Sequence, residues 1–192
     1  MNKKGIKIII ILLILGALVL LYYNFFSKNE KIDEVFIVDS IMDYDYTLYN
    51  NKSDLYNGNF KALKNILNSK EVNYEEYAKT ISKLFVIDFY SLDDKITNTD
   101  IGGVMFIHPN IKDNFILKAE DTIYKSIESN LNGKRKQVLP KVNDVEVVDF
   151  NSEGNYYFVT IKIKYIKDLE YPNEVKIVLV HEDEKLFVIE VL

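Results

Sequence analysis

The sequence predicts an N-terminal transmembrane helix followed by an α+β domain of about three helices packed on an antiparallel sheet. Three observations carry that expectation. Residues 8–26 form an uncharged, strongly apolar run. Between Ser53 and Gly133, apolar residues recur at helical spacing in three successive stretches. From Gln137 to the C-terminus the apolar pattern switches to a period of two. Helical and strand periods are thus segregated along the chain and do not alternate, which favours α+β over βαβ architecture.

The apolar run "IIIILLILGALVLLYY" is preceded by Lys3, Lys4 and Lys7 and extended beyond Asn24 by Phe25 and Phe26. Its length is close to the ~20 residues that a membrane-spanning helix needs. Tyr22, Tyr23, Phe25 and Phe26 stand at its far end, where interfacial aromatic rings belong. A cleaved signal peptide would have a shorter core and a small-x-small site; after Ala17 only bulky residues follow until Ser27. The expectation is therefore an uncleaved signal anchor that uses residues 8–26 to hold the lipid bilayer. The N-terminal lysines place that end in the cytoplasm. The division is then residues 1–27 as cytoplasmic stub and anchor, 28–34 as spacer, and 35–192 as an extracytoplasmic domain at the cell membrane.

Composition bounds what that domain can do. The 192 residues are 48% hydrophobic and 28% charged, as in a globular protein. Cysteine is absent, which excludes disulfides, thiolate metal sites, a cysteine nucleophile and a lipoprotein attachment point. A net charge of -5 argues against a nucleic-acid partner. The wealth of Ile, Lys, Asn and Tyr suggests a bacterium with an AT-rich genome.

In chain order, "VFIVDSIMDYDYTLYNN" reads as a strand or strand pair, with Tyr44, Tyr46 and Leu48 on one face. A first helix starts at Ser53 or Asp54 as cap, buries Tyr56, Phe60, Leu63 and Leu67, and stops near Ser69. A second is capped by Asn73 with Glu76 three residues on. It carries a broad stripe of Tyr74, Tyr77, Ala78, Ile81, Leu84, Phe85 and Phe89, interrupted near its end by Asp88. A third helix follows Pro109, with Asn110 as cap and Ile116, Ala119, Ile123 and Ile127 as its stripe, ending at Asn132-Gly133. "GKRKQ" reads as a basic surface turn. Then come strands through "VNDVEVVDF", with Val145, Val147 and Asp149 on one face, and through "YYFVTIKIKYI". There Tyr157, Val159, Ile161, Ile163 and Tyr165 oppose Thr160, Lys162 and Lys164. "EVKIVLVHEDEKLFVIEVL" reads as two more strands, joined at "HEDEK".

No GxGxxG, P-loop, HExxH or GxSxG motif occurs. Two distant histidines without cysteine do not make a zinc site. His181 lies beside Glu182, Asp183 and Glu184, which reads as a solvated turn; the sharper alternative is a pH switch. Asp93, Asp94 and Asp100 lack the ligand spacing of a calcium loop and fit helix ends and caps. Asp88 is a carboxylate on an apolar helix face, costly unless paired or exposed. It marks either a pocket, with Tyr90 beside it, or a residue that binds a backbone amide or lies at the rim. The stretch "DIGGVMFIHP" pairs an acid, two glycines and a histidine, yet sits between two patterned helices. Its Asp100, Gly102, Gly103 and Pro109 read as a structural joint, with "VMFI" as an apolar plug. The fourteen tyrosines fall mostly on predicted core faces. No catalytic, cofactor-binding or metal-binding residue is assigned.

The element order resembles the nuclear-transport-factor-2-like (cystatin-like cone) superfamily, most of all the membrane-anchored domains of type IV secretion and conjugation assembly factors. The aromatic helix, the "DxGG" joint, "NF", "DTIYK" and "RKQVLPKV" are also similar to uncharacterised, singly anchored membrane proteins of clostridia and related Firmicutes. The resemblance implies a curved sheet, a cone-like shape and a place among envelope proteins. It carries over no catalytic residue. Two functions are therefore expected: a scaffold that binds envelope proteins or itself, or a small-ligand-binding or enzymatic cone with its pocket near Asp88.

Overall fold

A computed structural model describes residues 34–131, 133 and 135–192, together with residues 15, 16 and 19. The chain divides into two compact units, Met1–Glu34 and Val35–Leu192. The anchor expected at residues 8–26 lies outside the described residues, apart from Leu15, Gly16 and Val19, which are helical. Among the described residues no helix is long and apolar enough to cross a membrane.

The second unit is α+β. It opens with a hairpin of β1 (Ile37–Ile41) and β2 (Tyr46–Tyr49), so the first extended stretch is a strand pair. A 3-10 turn over Met42–Tyr44 joins them and closes on Asp45, which takes a left-handed conformation. Tyr46 and Leu48 are buried as the alternation predicts. Tyr44 belongs to the turn instead, its ring stacked 6.1 Å from that of Tyr46.

Helix α1 (Asp54–Leu67) is capped by Ser53, whose hydroxyl accepts the amide N–H of Tyr56. It buries the expected Tyr56, Phe60, Leu63 and Leu67. Helix α2 (Tyr74–Tyr90) starts where Asn73 accepts the Glu76 N–H. Its residues from Leu84 to Tyr90 are all buried, because α1 packs on one side of it and the sheet on the other. A helix apolar all round belongs at the centre of a domain, and that position brings Asp88 inside.

The third helix is shorter than its periodicity predicts. Pro109–Ile111 form a 3-10 turn, and α3 spans Lys112–Asp121 alone. The capping side chain is His108, whose Nδ1 accepts the Asn110 N–H; Asn110 is not the cap. The helix ends at Thr122, whose hydroxyl donates to the carbonyl of Lys118 and competes with the helical ladder there. Ile127 is buried, but from the irregular segment that follows.

Strands β3 (Val142–Glu153), β4 (Tyr156–Tyr165), β5 (Glu174–Glu182) and β6 (Lys185–Val191) form an antiparallel meander in sequence order. Val145, Val159, Ile161, Ile163, Ile177, Leu179 and Val188 join the common core. An irregularity between Val147 and Asp149 corrects the expected face of β3. The extra residue shifts the alternation, so Asp149 is exposed and Phe150 packs against the core in its place. "HEDEK" turns at Asp183 and Glu184, both with positive φ. His181 lies in β5, half-buried, with its ring 4.3 Å from that of Tyr74.

Candidate functional site

The C-terminal end of α2 gathers most of the residues that the sequence singles out. Helical geometry carries Asp88 to the side of α2 where the following loop returns. Asp88 Oδ1 accepts from both Lys52 Nζ and Lys95 Nζ, each at 2.7 Å. Its Oδ2 accepts the amide N–H of Gly103 at 2.9 Å. Three of a carboxylate's about four acceptor directions are thus filled by this chain's own donors. The side chain is 8% exposed, and Lys95 is 4% exposed. Burial resists ionisation of Asp88, but the ammonium groups of Lys95 and Lys52 outweigh it and hold the carboxyl far below the usual range.

The two glycines of "DIGG" are here because nothing larger fits. A Cβ on Gly102 would stand 2.1 Å from the carbonyl oxygen of Asp88. Gly103 has φ 73°, and a Cβ there would meet the Phe85 ring at 2.6 Å. The loop is therefore pressed against the last two turns of α2. Tyr124 completes the closure: its hydroxyl donates to the Phe89 carbonyl at 2.6 Å and accepts the Gly102 N–H at 3.2 Å. Burial pushes the Tyr124 hydroxyl well above its ordinary pKa. Asp100 caps the same loop by accepting the Ile96 N–H. Phe106 and Ile107 are buried as the plug, and Ile107 bridges to Val188 of β6.

Arg135 corrects the reading of "GKRKQ" as a surface turn. It is half-buried, and its guanidinium donates to the carbonyls of Glu128, Leu92, Asp93 and Lys95. Asp94 pairs with Lys141 at 2.7 Å, and the Asp93 N–H reaches the Pro140 carbonyl. Phe115, from "NF", lies against Phe85 and Phe89. So the aromatic helix, "DIGG", "NF", "DTIYK" and "RKQVLPKV" converge on one joint.

Beside Asp88 lies a cleft of about 40 Å³, lined by Lys52, Tyr56, Asp88, Ser91, Lys95 and Asp100 among others. That is room for a water-sized group. Tyr90 is not among the lining residues. It is buried, packs edge-on to Phe89 at 5.0 Å, and its hydroxyl is pushed up to about 12 by burial. Pro109 starts its 3-10 turn outside the cleft. Among the described residues no group of three or more His, Asp or Glu side chains can hold a metal ion. Lys52, Lys95, Tyr124 and Arg135 are the members of this joint that sequence reasoning passes over. Only Tyr124 and Arg135 leave a signal, by lying within the quoted motifs.

No protein-family model matches this chain, and no curated protein and no solved structure matches it either.

Proposed function

We propose that this chain is a single-pass, membrane-anchored extracytoplasmic interaction domain, a scaffold that binds envelope proteins or further copies of itself. The observation that carries this reading is the occupancy of the Asp88 site. A ligand-binding or enzymatic cone needs an open, polar cavity there, and ligand pockets run to ~300–1,000 Å³. The cleft at Asp88 holds about 40 Å³, and both carboxylate oxygens are engaged by the protein. A carboxylate held so far below neutral has no proton to donate, and its lone pairs point at lysines and an amide. The joint locks α2, the loop and the strands together, as a rigid carrier requires.

In this reading the helix at residues 8–26 confines the domain to a plane and raises its effective concentration toward weak partners in the same membrane. The nuclear-transport-factor-2-like likeness, and with it a secretion or conjugation complex as the setting, rests on element order alone. Proximity crosslinking of the full chain in its native cell tests the reading. Recovery of one or a few envelope proteins, or of crosslinked copies of the chain, is expected. Recovery of nothing above background would remove the proposal's support.

A further inference from the structure

Val35, Phe36, Ile37 and Val38 are each at least half exposed. Four consecutive apolar residues in a β segment ordinarily divide between two faces, one of them buried. Here the segment is hydrogen-bonded to the end of β2 and still exposed. The Asn50 N–H donates to the Phe36 carbonyl, and the Phe36 N–H donates to Asn50 Oδ1, each at 3.0 Å. The β1–β2 pairing steps from Ile37–Tyr49 to Asp39–Leu48, leaving Val38 as an extra residue in the ladder. Such a bulge re-aims side chains.

The free edge of β1 is poorly suited to adding a strand. Asp39 Oδ1 accepts the Ser40 N–H and also the Lys64 ammonium, placing a paired charge at that edge. Contact at this segment is therefore made by side chains.

Chain length makes one occupant, the lipid surface, reachable. From residue 26, where the apolar run ends, to residue 36, a fully extended chain spans at most about 35 Å. The polar layer of a bilayer is only about 5–7 Å deep on each side. With residues 8–26 as the anchor, the outer headgroup layer is therefore within reach of Phe36. We propose that Val35–Val38 is a second, interfacial membrane contact, seated in the outer headgroup layer with Phe36 as its anchor ring. This rests on the anchor reading of residues 8–26. The apolar contact orients the domain on the membrane.

The chain contains no tryptophan, so single reporters can be introduced cleanly. The full-length Phe36→Trp, Tyr156→Trp and Phe25→Trp chains would each be reconstituted in phosphatidylcholine–phosphatidylglycerol vesicles containing brominated phosphatidylcholine. The expected result is emission from Phe36→Trp that is blue-shifted and quenched at least about twofold more than that from Tyr156→Trp, with Phe25→Trp quenched most. Quenching of Phe25→Trp without quenching of Phe36→Trp overturns the interfacial contact and leaves the anchor standing. Absence of quenching at both positions overturns both. A blue shift at Phe36→Trp that brominated lipid does not quench means that protein covers the strand, and this too overturns the lipid contact.

Discussion

At the end of α2 a charged group sits where apolar residues are expected; at Val35–Val38 apolar residues sit where water is. Asp88 is 8% exposed and reaches two ammonium groups and an amide. Phe36 is 57% exposed, and its described hydrogen bonds are made by its backbone. The two regions teach the same rule from opposite sides. The Asp88 carboxylate and the Phe36 backbone groups are both paired, and for buried Asp88 the unpaired alternative would be costly. Exposed apolar side chains carry no comparable penalty, and Met42 and Leu117 are more exposed still.

The most damaging way to break the first half of this comparison is Asp88→Ala. It strands Lys95, 4% exposed, without its carboxylate and removes the acceptor of the Gly103 N–H. Breaking a buried pair by removing one partner costs ~3–5 kcal/mol. For a domain of this size that lowers the melting temperature by about 10 °C. Tyrosine near-ultraviolet circular dichroism follows the loss on the full chain in detergent. A melting temperature within about 2 °C of the parent would show that the joint is peripheral to stability.

Gly103→Val attacks the same joint through its backbone. A β-branched residue must adopt φ 73° and place Cβ 2.6 Å from Phe85. Left-handed strain of ~1–2 kcal/mol and overpacking of ~1–3 kcal/mol together predict a loss of about 2–5 kcal/mol. Urea titration reads it directly, and an unchanged midpoint refutes the claim that the loop is pressed onto α2.

Acid offers a gentler probe. The folded pKa of Asp88 lies below its ordinary value of 3.8. Its contribution is therefore complete above that value and is lost as pH falls from there through the folded pKa. The stability gap between the parent and Asp88→Asn is expected to be wide near pH ~6 and to narrow below pH ~3. A gap independent of pH would assign the effect of the substitution to packing and not to charge.

These tests bear on residues that differ in how openly the sequence announces them. Helices α1 and α2 were legible, because their caps and stripes are local: Ser53 and Asn73 cap as expected, and Tyr56 through Leu67 face inward. The bulge in β3 and the early end of α3 were not. The bulge breaks the period that alternation assumes, and α3 stops where the Thr122 hydroxyl competes with the ladder, two residues before Tyr124 closes on Phe89 and Gly102. Asp88 is conspicuous as a carboxylate in an apolar stripe, but its lysines lie in polar turns that look like solvated surface. "VFIV" misleads in the other direction. Strand propensity describes a backbone that extends, and it is silent on whether a face is covered.

Ser82 sharpens the pairing rule from inside the same helix. Its hydroxyl is fully buried and has no hydrogen-bond partner among the described residues. Burying an unpaired hydroxyl costs ~1–3 kcal/mol. Ser82→Ala is therefore expected to stabilise the domain by about 1 kcal/mol, read as a higher urea midpoint. A destabilised variant would mean that the hydroxyl is satisfied after all, and that the contrast with Asp88 is overstated.

The smallest effect on folding is expected at the exposed apolar segment Val35–Val38. Truncating a buried phenylalanine costs ~3–5 kcal/mol, as Phe85→Ala should, since Phe85 is fully buried beneath Gly103. Phe36→Ser combined with Val38→Ser removes two apolar side chains that the fold leaves more than half exposed. Surface changes of that kind shift stability by no more than about 0.5 kcal/mol. Equal urea midpoints for this double variant and the parent, in the full chain, would show that the domain does not need these side chains to fold. A loss of more than about 2 kcal/mol would place them in the core, and the contrast between the joint and the strand would then collapse into ordinary packing.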